Sequence, residues 1–296
     1  MITKKQFSVL ETLALTKDRL SQRSIASSLS MSIGNANRII GELDDIGFIK
    51  DGMITDEGLA ALEPYRVKRA VLIAAGFGSR MVPITLNTPK PLVRVNGKRI
   101  IDSLLDAIYA AGIEEVYIVR GYLGEQFDQL LYKYPSIKFI ENKIYNESNN
   151  ISSVLAAGDL LENAYVSEAD LLLYNGELIK KYQYSSNSLG VPVEETDDWC
   201  FETNSKKVIT KLKVGGVNCY HMFGISYWNQ KDGRQLYTDV RKVFESPGGK
   251  ERYWDQVPLE FCAANYNVEV RPCTFDDIIE IDTFGELKKL DKTYDV

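Results

Sequence analysis

The feature that most constrains the fold is a short apolar run that leads directly into a glycine-bearing loop, over residues 71–80. Five apolar residues are enough for one buried strand, and Gly76 and Gly78 follow at once. Glycines at this place let backbone N–H groups approach phosphate oxygens closely, while Arg80 and Lys90 supply positive charge. The pattern is not a P-loop, which needs Gly-Lys-Ser/Thr, and it lacks the third glycine of a dinucleotide fingerprint. It predicts a strand followed by a phosphate-binding loop.

Strand and helix signals alternate after residue 67, which predicts an α/β fold with a parallel sheet covered by helices on both faces. The predicted strands are 70–74, 116–119 and 138–140, and the predicted helices are 101–111, 125–134 and 151–161. After about residue 185 the pattern becomes mixed, with predicted strands 207–214 and 220–227 and a final helix that contains 287–290.

Residues 1–66 have a different order, with three short helices followed by a hairpin. Ser21 can cap the second helix, and Asp51-Gly52 is a two-residue hairpin turn because both residues tolerate positive φ. This segment resembles the winged-helix domains of bacterial regulators. We therefore predict a winged helix-turn-helix domain over 1–66 and a second, α/β domain over 67–296.

Composition excludes several classes of protein. The chain has 296 residues with a formal net charge of −6, which argues against a surface dominated by phosphate-backbone binding. No apolar run approaches the roughly 20 residues that span a bilayer, and no signal peptide is evident, so we expect a cytoplasmic protein without a membrane partner. Four cysteines without C-x-x-C spacing and a single histidine indicate neither a disulfide framework nor a zinc site.

The glycine loop belongs to a longer pattern, Leu-x-Ala-Ala-Gly-x-Gly-Ser-Arg-x-x-Pro-x-Thr-x-x-x-Pro-Lys-Pro-Leu, over residues 72–92. Five further strings occur later in the chain: Gly121-Tyr122-Leu123-Gly124-Glu125-Gln126-Phe127-Asp128, Asn149-Asn150-Ile151-Ser152-Ser153, Gly224-Ile225-Ser226-Tyr227-Trp228, Tyr253-Trp254-Asp255 and Glu280-Ile281-Asp282. With these motifs, residues 68–296 resemble the nucleotidyltransferase family that includes sugar-nucleotide pyrophosphorylases, and within it the bacterial CTP:phosphocholine cytidylyltransferases.

The resemblance implies a Rossmann-like, mostly parallel nucleotidyltransferase sheet and a set of site residues. Arg80 and Lys90 are implied as catalytic cations. The implied nucleotide-binding residues are Ala74, Ala75, Gly76, Gly78, Ser79, Gly121, Tyr122, Asn150 and Ser153. Asn149 or Asn150 can equally be a helix N-cap, and both roles can hold together because a helix start also favours an anion.

Mg²⁺ is the implied cofactor, with Asp170 and Asp282 as its carboxylate ligands, since this small cation takes a few oxygen ligands and leaves positions for phosphates and water. The chain departs from the family at Glu168, where an aspartate is expected, and at Leu171, where asparagine is common. The resemblance therefore does not extend a metal role to Glu168.

Aromatic residues indicate the acceptor. A quaternary ammonium cannot donate a hydrogen bond, so ring faces and a nearby carboxylate recognise it. The predicted acceptor-binding residues are Trp199, Trp228, Tyr253, Trp254 and Asp255. Tryptophan is usually a packing residue, so a structural role is the alternative at each position.

The resulting hypothesis is Mg²⁺-dependent transfer of CMP from CTP to phosphocholine, giving CDP-choline and pyrophosphate. Phosphoethanolamine or another amino-alcohol phosphate is an alternative acceptor. Two other functions stay open: sugar-1-phosphate nucleotidyl transfer from UTP or dTTP, and a DNA-binding regulator whose nucleotidyltransferase-like domain senses a ligand. Because residues 1–65 carry seven basic and nine acidic residues, we expect weak DNA binding and a role in contacting the enzyme domain or a second subunit, so a homodimer stays open as well.

Overall fold

A computed structural model describes residues 1–16 and 19–295 of the chain. These residues form two compact units, one made of Met1–Arg66 with Tyr182–Tyr184, the other of residues 67–181 and the chain from Ser185 onward. Within the described ranges, no helix has the length and apolar character needed to cross a membrane.

The first unit follows the winged-helix order. Its elements are α1 Lys4–Leu15, α2 Gln22–Ser28, α3 Ile33–Asp45, β1 Ile49–Lys50, β2 Met53–Ile54 and α4 Asp56–Leu62. Ser21 caps α2 as predicted, because its Oγ accepts the Ser24 N–H at 3.0 Å. Asp51 and Gly52 both have positive φ, which is what the predicted hairpin turn between β1 and β2 requires.

Three residues from far along the chain complete the first unit. Tyr184 stacks on Tyr65 with ring centroids 5.2 Å apart, and it also contacts Phe7 at 5.5 Å. Tyr182 is 3% exposed in the same core. The sequence boundary at residue 66 does not include this segment.

The second unit is built on a seven-stranded mixed sheet. Its elements are β3 Arg69–Ala74, β4 Arg94–Val95, β5 Lys98–Arg99, α5 Ile100–Ala110, β6 Glu115–Arg120, β7 Lys138–Glu141, α6 Ile151–Ala157, β8 Ala164–Glu168, β9 Leu171–Leu173, β10 Asn187–Thr203, β11 Ile209–Trp228, α7 Gln230–Phe244, β12 Glu269–Pro272, β13 Ile278–Glu280 and α8 Phe284–Leu290. The strand order is β12-β10-β11-β8-β3-β6-β7, and the β8, β3, β6 and β7 half is parallel. This confirms the predicted fold class.

The central strand β3 contributes to two cores, one on each face of the sheet. Ala70, Leu72 and Ala74 pack in the cluster that contains α5 residues, whereas Val71 and Ile73 pack in the cluster that contains α6 and α7 residues. Side chains alternate along a strand, so a fully apolar β3 fits a sheet with helices on both faces.

Three sequence predictions of secondary structure are corrected. The predicted strands 207–214 and 220–227 are one strand of 20 residues, β11, because Gly215 at φ +73° lies at a register shift in the pairing with β10 and does not end the strand. The predicted helix 151–161 ends as α6 at Gly158, whose φ of +58° is a glycine conformation. Residues 124–132 form a 3₁₀ helix instead of an α-helix, and Phe127 and Leu130 are buried there because a spacing of three places both on one face.

Candidate active site

Three cavities follow one another along the carboxyl ends of the parallel strands. The serine cavity, about 480 Å³, is lined by Phe77, Asn142, Tyr145, Asn150, Ser152 and Ser153 among others. The loop cavity, about 240 Å³, is lined by Gly76, Gly78, Arg80, Lys90, Asp170 and Asp282 among others. The aromatic cavity, about 400 Å³, is lined by Glu168, Asp198, Trp199, Tyr253, Asp255 and Glu280 among others. The first two share Ile73 and Gly76, and the last two share Arg80 and Asp282, so the loop cavity lies in the middle.

The glycine loop leaves β3 and forms one wall of the loop cavity, which also includes Ala74 and Ser79. Gly78 has φ +62°, and a Cβ at this position would lie 3.0 Å from Thr85 and 3.1 Å from Lys90. A Cβ at Gly76 would meet nothing within 4 Å. The positive φ and the close neighbours therefore favour glycine at 78, while at 76 glycine leaves open space beside the backbone.

An ion-pair centre lies at the floor of the loop cavity. Lys90 Nζ is 2.6 Å from an Asp170 oxygen and 2.8 Å from an Asp282 oxygen, and Arg80 Nη2 is 2.8 Å from the same Asp282 oxygen. Asp170 joins β8 to β9, Asp282 follows β13, and the β9–β13 pairing brings their loops together. The structure thus brings together all four charged residues that the sequence assigned to catalysis and metal binding.

A carboxylate cluster lies beside this centre and includes two residues that the sequence did not assign to the metal. Oxygens of Glu168, Asp170 and Glu280 lie within 4.8 Å of one another. Burial, together with the charges of Asp170 and Glu168, raises the pKa of Glu280 to about 10, and burial also raises the pKa of Glu168 well above its usual range. Within the described chain, Asp170 Oδ1 is buried without a hydrogen-bond partner. Crowded carboxylates with an unsatisfied oxygen are the donor set that a divalent cation completes, so the residues fit Mg²⁺.

The spacing between Glu280 and Asp282 is a sequence signal for the role of Glu280 in this cluster. Glu280 precedes Asp282 by two residues, and side chains two positions apart in an extended segment point to the same side. Gly224 makes room for the longer side chain of Glu168, because a Cβ there would lie 2.8 Å from Glu168 Oε2. Glutamate in place of the expected aspartate is therefore accommodated and belongs to the cluster.

The aromatic cavity combines ring faces with carboxylates. Trp199 on β10 and Tyr253 meet at a centroid distance of 5.7 Å with an interplanar angle of 65°. Asp255 is 9% exposed, and burial raises its pKa to about 7. Asp198, which the sequence did not indicate, is exposed and adds a second carboxylate at the wall. The cavity can hold a small cationic group.

Two of the predicted acceptor residues are packing residues. Trp228 and Trp254 are each 1% exposed and meet edge to face at 6.1 Å inside the core formed with α6 and α7. Trp228 Nε1 donates to Ser226 Oγ at 2.9 Å. Neither indole has a free face for a ligand, so their predicted contact with the acceptor is wrong.

Asn150 occupies the N-cap position of α6 but does not cap the helix. Its Oδ1 accepts the backbone N–H of Trp254 at 2.9 Å, and its Nδ2 donates to Glu168 Oε1 at 3.4 Å. The N-cap alternative is therefore wrong for Asn150. Its amide instead connects the start of α6 to the carboxylate cluster, while its side chain also borders the serine cavity.

The other predicted nucleotide residues have different positions. Ala75 and Ser153 line the serine cavity. Gly121 lies behind Tyr145, whose ring a Cβ at 121 would approach to 2.6 Å, and the Tyr122 hydroxyl donates to the carbonyls of Thr85 and Leu86. Gly121 and Tyr122 therefore support the cavity walls. Neither is among the described residues that line the three cavities.

Comparison with known proteins shows which families the two parts of the chain match. Residues 70–195 match the MobA-like NTP transferase domain, and residues 2–50 match a winged helix-turn-helix DNA-binding family. The 2-aminoethylphosphonate cytidylyltransferase of Lancefieldella rimae is 35% identical over 228 residues, which is 76% of this chain and 92% of that protein. The choline-phosphate cytidylyltransferase of Haemophilus influenzae is 30% identical over 219 residues, 73% of this chain and 93% of that protein.

A solved structure supports the same assignment. The CTP:phosphocholine cytidylyltransferase of Streptococcus pneumoniae superposes with a TM-score of 0.71 at 30% identity, covering 77% of this chain and 99% of that one. The family inferred from the sequence motifs is thereby confirmed. With relatives of this identity over nearly their whole length, the chain belongs to the nucleotidyltransferase family and, within it, to the cytidylyltransferases.

Proposed function

We propose that the protein transfers CMP from CTP to a small acceptor with an anionic phosphate or phosphonate at one end and an ammonium group at the other. An acceptor oxygen forms a new bond to the α-phosphorus of CTP, and the bond from that phosphorus to the β-phosphate oxygen breaks to release pyrophosphate. The observation that carries this proposal is the position of the aromatic cavity. The aromatic cavity shares Arg80 and Asp282 with the loop cavity. An acceptor whose ammonium group lies in the aromatic cavity can therefore extend its phosphate toward the charged centre.

The cations and the carboxylates of the site have different roles in this reaction. The acceptor oxygen is anionic at neutral pH, so no general base is needed, and catalysis depends on positioning and on charge neutralisation. Arg80 and Lys90 supply cations to the phosphates. Glu168, Asp170 and Glu280, with Asp282 adjacent, would hold Mg²⁺, which when bound supplies further positive charge to the phosphate oxygens.

Phosphocholine is the acceptor that the aromatic pair favours. A trimethylammonium group is recognised through ring faces, and each such contact contributes about 0.5–2 kcal/mol. Trp199 and Tyr253 provide two rings at the cavity wall. Asp255 supplies the counter-charge.

2-Aminoethylphosphonate is the second candidate. Its primary ammonium has three N–H donors, which need acceptors that a trimethylammonium does not. Asp198 and Asp255 both line the cavity and can accept them. The relative from Lancefieldella rimae is a 2-aminoethylphosphonate cytidylyltransferase.

A substrate panel tests the proposal. Purified full-length protein is assayed for pyrophosphate release with CTP and phosphocholine, phosphoethanolamine or 2-aminoethylphosphonate, and with UTP or dTTP and glucose 1-phosphate. We expect turnover only with CTP and an ammonium-bearing acceptor, and the acceptor with the highest kcat/KM is the substrate. Turnover with a sugar phosphate, or ligand binding without turnover of any pair, would overturn the proposal in favour of a sugar nucleotidyltransferase or a sensor.

Trp199→Ala should raise the KM for the acceptor about tenfold or more while the KM for CTP changes less than twofold, because a lost ring face affects only the ammonium end. Steady-state kinetics with each substrate varied in turn measures the split. Tyr253→Phe keeps the second ring and is the matched control, with near-normal constants expected. Equal effects on both substrates, or a large loss of thermal stability, would identify Trp199 as a packing residue.

The winged-helix unit should bind DNA only weakly, with a Kd above about 10⁻⁵ M at physiological salt. Arg38 on α3, the helix that would enter the major groove, is ion-paired with Glu42 and donates to Asn35 Oδ1 at 3.1 Å. Fluorescence anisotropy of the full-length protein with a labelled duplex from upstream of its own gene measures this affinity. Salt-sensitive and sequence-selective binding would show instead that the chain is a regulator as well as an enzyme.

A further inference from the structure

A bulge in β10 forms part of the wall of the aromatic cavity. Between Thr196 and Trp199 the strand takes three residue steps where its partner β11 takes two. Successive side chains of a regular strand point to opposite faces, yet Asp198 and Trp199 both line this cavity. The extra residue of a bulge changes the direction of the side chains beside it. The bulge therefore brings a carboxylate and an indole from neighbouring positions to one cavity.

Side chains hold the bulge where the regular strand pairing is interrupted. Thr196 Oγ1 accepts the backbone N–H of Asp198 at 3.2 Å. Asp198 Oδ1 in turn accepts the backbone N–H of Trp199 at 2.6 Å. Hydrogen bonds of this kind, from threonine and aspartate side chains to nearby backbone, fix a local turn. The position of the Thr196 hydroxyl therefore helps to determine where Asp198 and Trp199 stand.

His221 on β11 contacts this hydroxyl from outside the cavity. Its Nδ1 lies 3.2 Å from Thr196 Oγ1, which is hydrogen-bond distance. Its neighbour Met222 is among the described residues that line the aromatic cavity, whereas His221 is not. His221 is thus placed to support the bulge without contacting a ligand in the cavity.

Two aromatic rings fix the imidazole of His221. The ring centroid of Phe223 lies 5.3 Å from that of His221, and the ring centroid of Phe275 lies 5.5 Å from it. Burial lowers the pKa of His221, although the charges of Asp198 and Asp197 oppose this shift. The ring is therefore mostly neutral at physiological pH. In a neutral imidazole one nitrogen donates and the other accepts, so Nδ1 can bond to a hydroxyl in either tautomer.

We propose that His221 is a positioning residue for the acceptor and that it acts through Thr196. The pair fixes the bulge that holds Asp198 and Trp199 at the aromatic cavity, where they meet the ammonium group together with Asp255. This inference rests on the proposed function, because it assigns the ammonium end of the acceptor to this cavity. It deepens that proposal by adding two residues that lie outside the family motifs of the sequence.

The kinetic test removes each half of the hydrogen bond while keeping the shape of the side chain. Thr196→Val and His221→Phe should each raise the acceptor KM about fivefold and change the KM for CTP by less than about twofold, because the lost bond loosens only the acceptor wall. The double variant should be no worse than the more affected single variant, since both changes remove the same bond. Thr196→Ser keeps the hydroxyl and should rescue the acceptor KM.

Thr210→Val is the matched control on the same hairpin. Thr210 is exposed, and its hydroxyl donates to the carbonyl of Glu202 at 3.1 Å. It is not among the described residues that line the three cavities, so its kinetic constants should equal those of the wild type.

The bond can also be measured without turnover, because His221 is the only histidine in the chain. In untagged full-length protein, the imidazole ¹⁵N resonances should shift in Thr196→Val and keep their positions in Thr196→Ser. Resonances that do not move in Thr196→Val would show that the bond is absent and would overturn the inference.

Acceptor binding separates this inference from the proposed function. Calorimetric titration with phosphocholine and with 2-aminoethylphosphonate, with CTP and EDTA present to prevent turnover, should show a Kd raised about fivefold in Thr196→Val and in His221→Phe at wild-type Tm. Unchanged acceptor constants in both variants, equal effects on acceptor and CTP, or a large loss of Tm would overturn the positioning role. Failure of the substrate panel while acceptor binding still depends on Thr196 would overturn only the proposed reaction. A wild type that binds neither acceptor would overturn both.

Discussion

Asp170→Asn should lower kcat/KM by about 10³-fold, which corresponds to about 4 kcal/mol of transition-state free energy. The substitution keeps the shape of the side chain and removes the charge that the carboxylate cluster needs to hold a divalent cation. Asp170 also loses its ion pair with Lys90, which lies 2.6 Å away. Pyrophosphate release at saturating Mg²⁺ measures the loss, and circular dichroism shows whether the fold is retained.

Asp276→Asn is the matched control, because this carboxylate is exposed and lies just before β13. Its rate should equal that of the wild type. Asp282→Asn should also lose most of its activity, since its carboxylate holds both Arg80 and Lys90. A near-normal Mg²⁺-dependent rate in Asp170→Asn would remove this residue from the metal site.

Lys90→Ala should lower kcat/KM by about 10²-fold and also destabilise the protein when metal is absent. Lys90 is 7% exposed, and its ammonium compensates Asp170 and Asp282. Removing one partner of a mostly buried ion pair leaves uncompensated charge, here a cost of about 1–3 kcal/mol because both carboxylates are partly exposed. Thermal unfolding in EDTA should therefore show a lower Tm than the wild type.

Adding Mg²⁺ should restore part of the lost Tm in Lys90→Ala and change the wild type less, because a divalent cation can neutralise the same carboxylates. Lys133→Ala is the control, since its ion pair with Asp106 is half exposed and contributes little. An unchanged Tm in EDTA together with unchanged kcat/KM would show that Lys90 is not part of the charged centre.

Contiguous motifs made the charged centre predictable. The string over 72–92 contains Arg80 and Lys90, and the resemblance supplied Asp170 and Asp282, which lie far along the chain but meet at the end of the sheet. Glu280 lies in the same motif, Glu280-Ile281-Asp282, but the resemblance gave a metal role only to Asp282.

Side-chain direction was not predictable where aromatic residues cluster. Tyr253 and Asp255 line the aromatic cavity, but Trp254 between them faces the core. The sequence shows which residues stand together, whereas the packing of α6 and α7 decides which of them are covered. The contribution of Tyr182–Tyr184 to the first unit has no local signal at all, because it depends on contacts with residues more than a hundred positions away.

The long β10–β11 hairpin contributes residues to the aromatic cavity, and none of the residues described as lining the other two cavities comes from it. Trp199, Leu212 and Met222 of the aromatic cavity come from this hairpin. The serine and loop cavities are lined instead by the glycine loop, by the segments around α6, and by Lys90, Asp170 and Asp282. On the proposed assignment of the cavities, substitutions in the hairpin can therefore alter the acceptor without disturbing the site of the nucleotide. Enzymes on this scaffold can diverge in what they activate while keeping one donor, and a mutational library confined to the hairpin is the natural route to new CMP-linked products.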